Sequence, residues 1–381
     1  MAGLTNVLGE RRSRLDASPL RHLDLVLVGS VLAINVLGLV MIYSATRNGL
    51  VGDTGATYYL QRQVIFVVLG VGIMAGAILV DYHRMREWAP AIYGVTILML
   101  ALVITPLGSS TLGSQARFAV GPVAIQPSEF AKFSIILILA AYCAVHRGDL
   151  GGRHLVTVLA IVAPSLGLVM LQPDLGTALV IGVVVLAILA VAGAKGRHLA
   201  VLALIGITGA VVAVNLGVLK PYQVDRLTAF LDQNGDQQRT TYNLEQSKTA
   251  IGNGGVTGQG LFKGSQTSLG HVPEPHTGFI FTAVGEELGF VGAGLLLVLF
   301  GIVVWRSWRT AVLSNDFFGT LLSVGVVAML AFQIFENVGM TMGIMPITGI
   351  PLPCMSYGGS SALVTFACVG LVANVSMRRF S

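Results

Sequence analysis

Residues 25–46 read LVLVGSVLAINVLGLVMIYSAT, without one charged side chain. A helix needs about 20 predominantly apolar residues to cross a ~30 Å hydrocarbon core, so this run alone is long enough to span a bilayer. It follows a polar arm and lacks a small-x-small cleavage site before polar sequence, so it reads as a retained span and not as a signal peptide. Comparable runs recur at 63–80, 88–107, 128–145, 155–172, 177–194, 199–219, 278–305, 317–338 and 358–377. Composition agrees: 54% of the 381 residues are hydrophobic and 11% charged, against roughly 25% charged in an average soluble domain. The pattern predicts an all-α polytopic membrane protein with about ten transmembrane helices. A cytoplasmic arm covers 1–22 and a single ten-helix membrane domain covers 23–381.

Lysine and arginine set the orientation, because cytoplasmic loops hold them in excess. Arg11, Arg12, Arg14, Arg21, Arg84, Arg86, Arg147, Arg153, Lys195, Arg197, Arg306, Arg309, Arg378 and Arg379 fall on one side. The short loops and helix ends of the other side carry only Arg47, Arg62, Arg117 and Lys132. Ten spans then place both termini in the cytoplasm and a long extracytoplasmic loop, 220–277, between helices 7 and 8. The net charge of +5 is this topological bias and calls for no nucleic-acid partner, while the basic segments suit anionic membrane lipids. Cys143, Cys354 and Cys368 lie in or beside apolar spans without CxxC spacing, which argues against a disulfide framework or a metal site and for buried small side chains.

The 220–277 loop is too patterned for a tether. It holds Tyr222, Phe230 and Tyr242, an amphipathic stretch at 240–252, a glycine-dense run from Gly252 to Gly264, and Pro273-Glu274-Pro275-His276-Thr277 at the mouth of the next span. Loops of this length are usually functional or disordered. GNGGVTGQG at 252–260 superficially matches nucleotide loops, but no parallel strand precedes it, so it reads as turns that let backbone approach a helix bundle. Three further outer segments stand out: a glycine-rich connection at 107–132, the tight turn QPDLGT at 172–177, and the Pro/Gly-broken stretch at 336–361. Irregular backbone at membrane depth must be covered by protein or line a wet cavity. The four segments therefore point to an outward-facing, partly intramembrane site.

Candidate side chains follow. Glu129 and Lys132, three apart on a membrane helix, share a face and either pair with each other or line a cavity. Asp174 either caps the helix starting near Thr177 or faces substrate. Arg117, Arg226 and Arg239 together suit an anionic ligand. Glu286 and Glu287 lie within the eighth span, where at least one faces the bundle interior, either for function or to lock packing.

These motifs, in this order, resemble the SEDS family of bacterial cell-wall polymerases (shape, elongation, division and sporulation; the RodA/FtsW/SpoVE group). The matching strings are QPSEFAK at 126–132, QPDLGT at 172–177, YQVDRLTAFL at 222–231, QSKTAIGNGGVTGQG at 246–260, PEPHTGFIF at 273–281, EELGF at 286–290 and GIMPITGIPLPCMSYGGSS at 343–361. Only the N-terminal arm falls outside the resemblance, and the general pattern is nearer to the elongation-type RodA than to the division-type FtsW. The resemblance implies a peptidoglycan glycosyltransferase of the bacterial cytoplasmic membrane that polymerises lipid II, a disaccharide-pentapeptide on undecaprenyl pyrophosphate. Within its motifs Gln126, Glu129, Lys132, Asp174, Arg226, Gln246, Glu287 and Ser356, with Arg117 and Arg239 beside them, become the expected substrate-binding residues. A divalent cation, Mg or Mn, suits the pyrophosphate leaving group, although no carboxylate cage is visible in the sequence. The implied partner is a class B penicillin-binding protein, a transpeptidase that cross-links the nascent glycan.

One position departs from the family pattern. The family reads PE-x-HTDFIF with a catalytic Asp, and here that position is Gly278. Glycine offers no proton acceptor. Either the chain carries an inactivating substitution, or Glu274, His276 or another acid has taken the role, or the protein is a non-catalytic scaffold that activates its transpeptidase. A lipid II flippase, with Glu129, Lys132 and Glu287 lining a head-group route, is the alternative from transport.

Overall fold

The computed structural model describes residues 22–47, 57–111, 114–120, 123–148, 150–215, 223–224, 226, 230, 239–270, 272 and 274–379. The expected arm at 1–22 therefore lies outside the described residues except for His22. Ten apolar helices match the ten expected spans: α1 (Leu25–Thr46), α2 (Tyr58–Leu79), α3 (Tyr82–Ile104), α4 (Pro127–Val145), α5 (Gly152–Leu171), α6 (Leu175–Val191), α7 (Gly196–Asn215), α10 (Ile280–Leu313), α11 (Phe317–Met342) and α12 (Gly359–Arg378). Between α7 and α10 come α8 (Arg239–Gly254) and the short α9 (Ser265–Ser268). Among the described residues eight helices are long and apolar enough to cross a membrane, and Leu175–Val191 and Gly196–Gly209 are shorter apolar helices.

Acidic N-caps start several helices by accepting an otherwise unpaired backbone N–H: Asp24 from Leu27 (3.1 Å), Asp174 from Thr177 (3.0 Å) and Asp316 from Gly319 (3.1 Å). The bundle is layered around α12, whose apolar window is 83% buried, with α4 and α11 next at 61% and α3 and α5 at the rim at 22%. Close approach holds the centre together, as expected where lipid supplies no hydrophobic drive between helices. A Cβ on Gly370 of α12 would come within 2.8 Å of the Met74 carbonyl of α2.

Polar contacts mark two ends. At one end Arg306 pairs with Asp24 (2.7 Å), Arg378 with Asp81 (3.3 Å), and Tyr82 donates to Asp316. The outer segments gather at the other end.

One expectation is corrected there. The glycine-rich connection read at 107–132 is not all loop and helix. Residues Ser109–Thr111 (β1), Ser114–Val120 (β2) and Val123–Ile125 (β3) form an antiparallel sheet in the order β1-β2-β3, with Ser109 opposite Arg117 and Phe118 opposite Ile125. Its strands are so short that their alternation is lost beside twenty-residue apolar runs. The amphipathic stretch expected at 240–252 is α8, which buries Leu244, Ser247 and Ala250 and exposes Tyr242, Glu245 and Lys248.

The glycine-dense run does fold onto the bundle. Helix α10 breaks at Gly289 (φ 65°, ψ −164°). The Glu286 and Glu287 carbonyls accept from Gln259 and Gly260 N–H (3.0 Å each), and Phe290 and Val291 N–H donate to the Gly255 and Val256 carbonyls (2.9 and 3.1 Å). Backbone groups freed by a break must be satisfied internally at this depth, and the loop does so. The approach demands glycine: a Cβ on Gly258 would sit 2.1 Å from the Glu287 carbonyl oxygen, and one on Gly289 2.2 Å from the Gly258 nitrogen.

Candidate active site

Asp174 is where two motifs meet. It caps α6 through Thr177 N–H, accepts the Thr177 hydroxyl (2.9 Å), and also accepts from the Ser128 hydroxyl (2.8 Å) and the Gln126 amide (3.3 Å) at the start of α4. Gln126 N–H in turn donates to the Ser360 hydroxyl of α12 (2.9 Å). The helix-cap reading of Asp174 is thus correct and incomplete, because the same carboxylate ties QPSEF to QPDLGT.

Residues 274–278 lie against the broken stretch between α11 and α12. The Asn337 amide of α11 donates to the Gly278 carbonyl (2.9 Å) and to the Ile350 carbonyl (2.7 Å). Ile350 packs so near α6 that a Cβ on Gly176 would lie 2.6 Å from its side chain. The His276 carbonyl accepts from Tyr357 N–H (2.8 Å), and the His276 ring packs against Tyr59 of α2 at 4.5 Å between centroids, tilted by 50°. Contacts therefore run Gly278–Asn337–Ile350–Gly176 and on to Asp174 and Ser128, joining four helices at one end of the bundle. His276 is buried, its Nδ1 without a partner among the described residues, and burial pushes its pKa below the usual histidine range against the opposing pull of the Glu274 charge. Glu274 is exposed, in the left-handed region (φ 44°), and its carboxylate accepts the Thr277 hydroxyl (3.0 Å).

Gly278 itself has no left-handed φ, and among the described residues a Cβ built there meets within 4 Å only the terminal methyl of Met340, at 3.3 Å. Its backbone would carry a side chain if the sequence supplied one.

The remaining candidates scatter around this centre. Lys132 and Glu129 pair with each other at 2.8 Å, both buried. Glu287, 1% exposed, accepts the Phe262 N–H (2.9 Å) and the Ser44 hydroxyl, while Arg47 donates to the Phe262 carbonyl. Glu286 accepts from the N–H groups of Gln266 (2.6 Å) and Thr267 (3.0 Å), so it caps α9. Both acids anchor the outer loop. Ser356 is buried and its hydroxyl accepts Leu352 N–H (2.9 Å). Arg117 is exposed on β2, and Gln246 is half-buried on α8 beside Ser247, whose hydroxyl donates to the Thr341 carbonyl (2.8 Å). The Arg239 side chain lies outside what is described. Arg226 lines a cleft with Pro173, Leu175, Gln223, Pro346, Ile347 and Thr348, and its guanidinium lies over Gly349.

Sequence reasoning missed Asn337, Thr348 and Glu336, which is fully buried and accepts the Thr348 hydroxyl. Glu336 could have been found as an acid at the end of an apolar run, a functional candidate by default.

Residues 24–380 match the family described as cell cycle protein, FtsW/RodA/SpoVE. The chain belongs to this family. Among SEDS relatives, stage V sporulation protein E of Bacillus subtilis strain 168 is 36% identical over 359 residues, 93% of this chain and 96% of its own length. Peptidoglycan glycosyltransferase MrdB of Escherichia coli K12 is 33% identical over 368 residues, 94% of each chain. A solved chain from the structural coordination of polymerization and crosslinking by a peptidoglycan synthase complex superposes with a TM-score of 0.78 at 32% identity, covering 94% of this chain and 99% of that one. Thermus thermophilus rod-shape-determining protein RodA does so at 0.70 and 30%, covering 94% and 98%. The SEDS fold, a polytopic helical membrane bundle, is shared over nearly the whole length.

Proposed function

We propose that this chain is a lipid II polymerase of the bacterial cytoplasmic membrane, working at its outer face with both termini in the cytoplasm, and that Gly278 depresses its activity. The observation that carries the reading is the convergence of QPSEF, QPDLGT, PEPHTGF and the 343–358 segment around Gly278, at the end of the bundle away from the arginine-rich turns. Relatives named peptidoglycan glycosyltransferases support the reaction class.

In that reaction the acceptor sugar hydroxyl attacks the anomeric carbon of the donor. The C1–O bond to the lipid pyrophosphate breaks, the configuration inverts, and a base removes the hydroxyl proton. Asp at position 278 would present a carboxylate just before α10, beside Asn337, and glycine presents none. Arg226 at the cleft suits the pyrophosphate through charge-assisted hydrogen bonds. Among the described residues no three His, Cys, Asp or Glu side chains group as metal ligands, so they do not form a dedicated divalent-cation site. The partner is a class B penicillin-binding protein, in keeping with the peptidoglycan synthase complex that the fold matches. The buried pairing of Glu129 with Lys132 and the anchoring of Glu287 leave these charges committed to protein partners, which favours the polymerase over a flippase route.

The test compares this chain with Gly278→Asp, each purified with a class B transpeptidase and supplied with lipid II, glycan strands being resolved on a gel. Loss of a general base commonly costs about 10²–10⁴-fold, so the Asp form is expected to polymerise faster by that order. Head-group translocation in proteoliposomes with no glycan from either form would sink the proposal.

A further inference from the structure

Glu336 is 0% exposed near the outer end of α11, one residue before the Asn337 that holds the Gly278 carbonyl. One carboxylate oxygen accepts the Thr348 hydroxyl, and the other, buried, has no partner among the described residues. A buried carboxylate oxygen without a hydrogen bond is costly to keep. Two observations point outward from it. Thr348 is only half-buried and lines the cleft with Gln223 and Arg226, and the Arg226 charge acts on Glu336. The carboxylate thus lies behind Thr348, a residue that lines the cleft, and next in sequence to the Asn337 that holds Gly278. A hydroxyl within reach of a carboxylate is the arrangement by which a base acts through a hydroxyl.

We infer that Thr348 and Glu336 form a second proton-accepting pair in this site, Thr348 presented to the acceptor sugar and Glu336 the positioning residue behind it. This rests on the glycosyltransferase reading above. As the sugar oxygen forms its bond to the donor anomeric carbon and the pyrophosphate leaves with the C1–O bonding pair, the sugar proton passes to Thr348 Oγ1 and the threonine proton passes to Glu336. The carboxylic acid then returns its proton to water or to the departing pyrophosphate. Such a pair would sustain turnover in a chain with Gly278, and its detour through a hydroxyl would make it slower than a carboxylate at 278.

The experiment measures lipid II polymerisation, with its pH profile, in this chain and in the Gly278→Asp form, each combined with Glu336→Gln, Glu336→Asp and Thr348→Val. In this chain Glu336→Gln and Thr348→Val are each expected to lower kcat by about 10²-fold with KM retained, to abolish the ionisation in the pH profile, and to be no worse together. Glu336→Asp should restore part of the rate. In the Gly278→Asp form Glu336→Gln should cost much less. An equal loss in both backgrounds would make Glu336 merely structural and overturn the inference. So would loss of the residual rate on Glu274→Gln in its place, or an Asp form that polymerises while this chain makes no glycan at all. If both forms are silent, the glycosyltransferase reading falls first and the inference with it.

Discussion

At the scale of single residues, the environment of Gly278 and that of His276 make opposite demands. Gly278 tolerates a side chain, because its backbone is not left-handed and the near neighbour among the described residues is the flexible end of Met340. Gly278→Asp should therefore leave thermal stability within about 1 kcal/mol, a usual scale for changes that strain nothing, even as it raises the polymerisation rate. A fall of several degrees in Tm would show that the space is not there. His276 is held neutral by burial, so its native pKa lies below that of the unfolded chain. As pH falls below about 6.5, the unfolded state takes up the proton and the native state does not. Stability should hence be flat above that value and decline from there down to the depressed native pKa. A melting series in detergent checks it, and His276→Asn should flatten the slope.

Elements carry the next level. The break in α10 is stable because backbone from 255–260 pairs with backbone from 286–291, and two glycines allow the contact. Gly289→Ala would hold alanine at φ 65°, which costs of order 1–3 kcal/mol, and would push apart the ladder of four backbone bonds. The expected result is a lowered Tm with faster amide exchange at 255–260. Glu286→Ala tests the same unit differently. It removes the acceptor for Gln266 and Thr267 N–H, so α9 should fray and limited proteolysis should concentrate at 261–270 while the helices stay intact. Cleavage spread evenly over the chain would mean that Glu286 supports the whole bundle.

On the scale of the whole molecule, charge distribution and burial set orientation and cohesion. With the cysteines all buried, Arg309→Cys should react with an impermeant thiol reagent only from the cytoplasmic side and Glu274→Cys only from outside. The reverse pattern would invert the site. The Glu129–Lys132 pair sits inside the bundle, and breaking a buried pair by removing one partner costs on the order of 3–5 kcal/mol, whereas replacing both is often far milder. Lys132→Met alone should destabilise strongly in thermal melts, and Glu129→Gln with Lys132→Met should recover most of the loss.

The apolar helices were legible because a bilayer imposes length and hydrophobicity on each segment separately. The uncharged run at 25–46 announces its helix whatever surrounds it. Gly278 stood out in the sequence only against the resemblance, because the motif around it, PEPHTGFIF, is dense. The short sheet at 109–125 was not, since three- to seven-residue strands leave little periodicity to read. What each acid does depends on distances across the fold. Asp174 joins residues 48 apart, Glu287 meets Ser44, and Glu336 meets Thr348 only because the chain reverses after α11. Sequence by itself determined the apolar helices, because these follow from local length and hydrophobicity. Only the tertiary structure decided which polar groups find partners, because hydrogen bonds act over about 3 Å and the partners lie far apart along the chain.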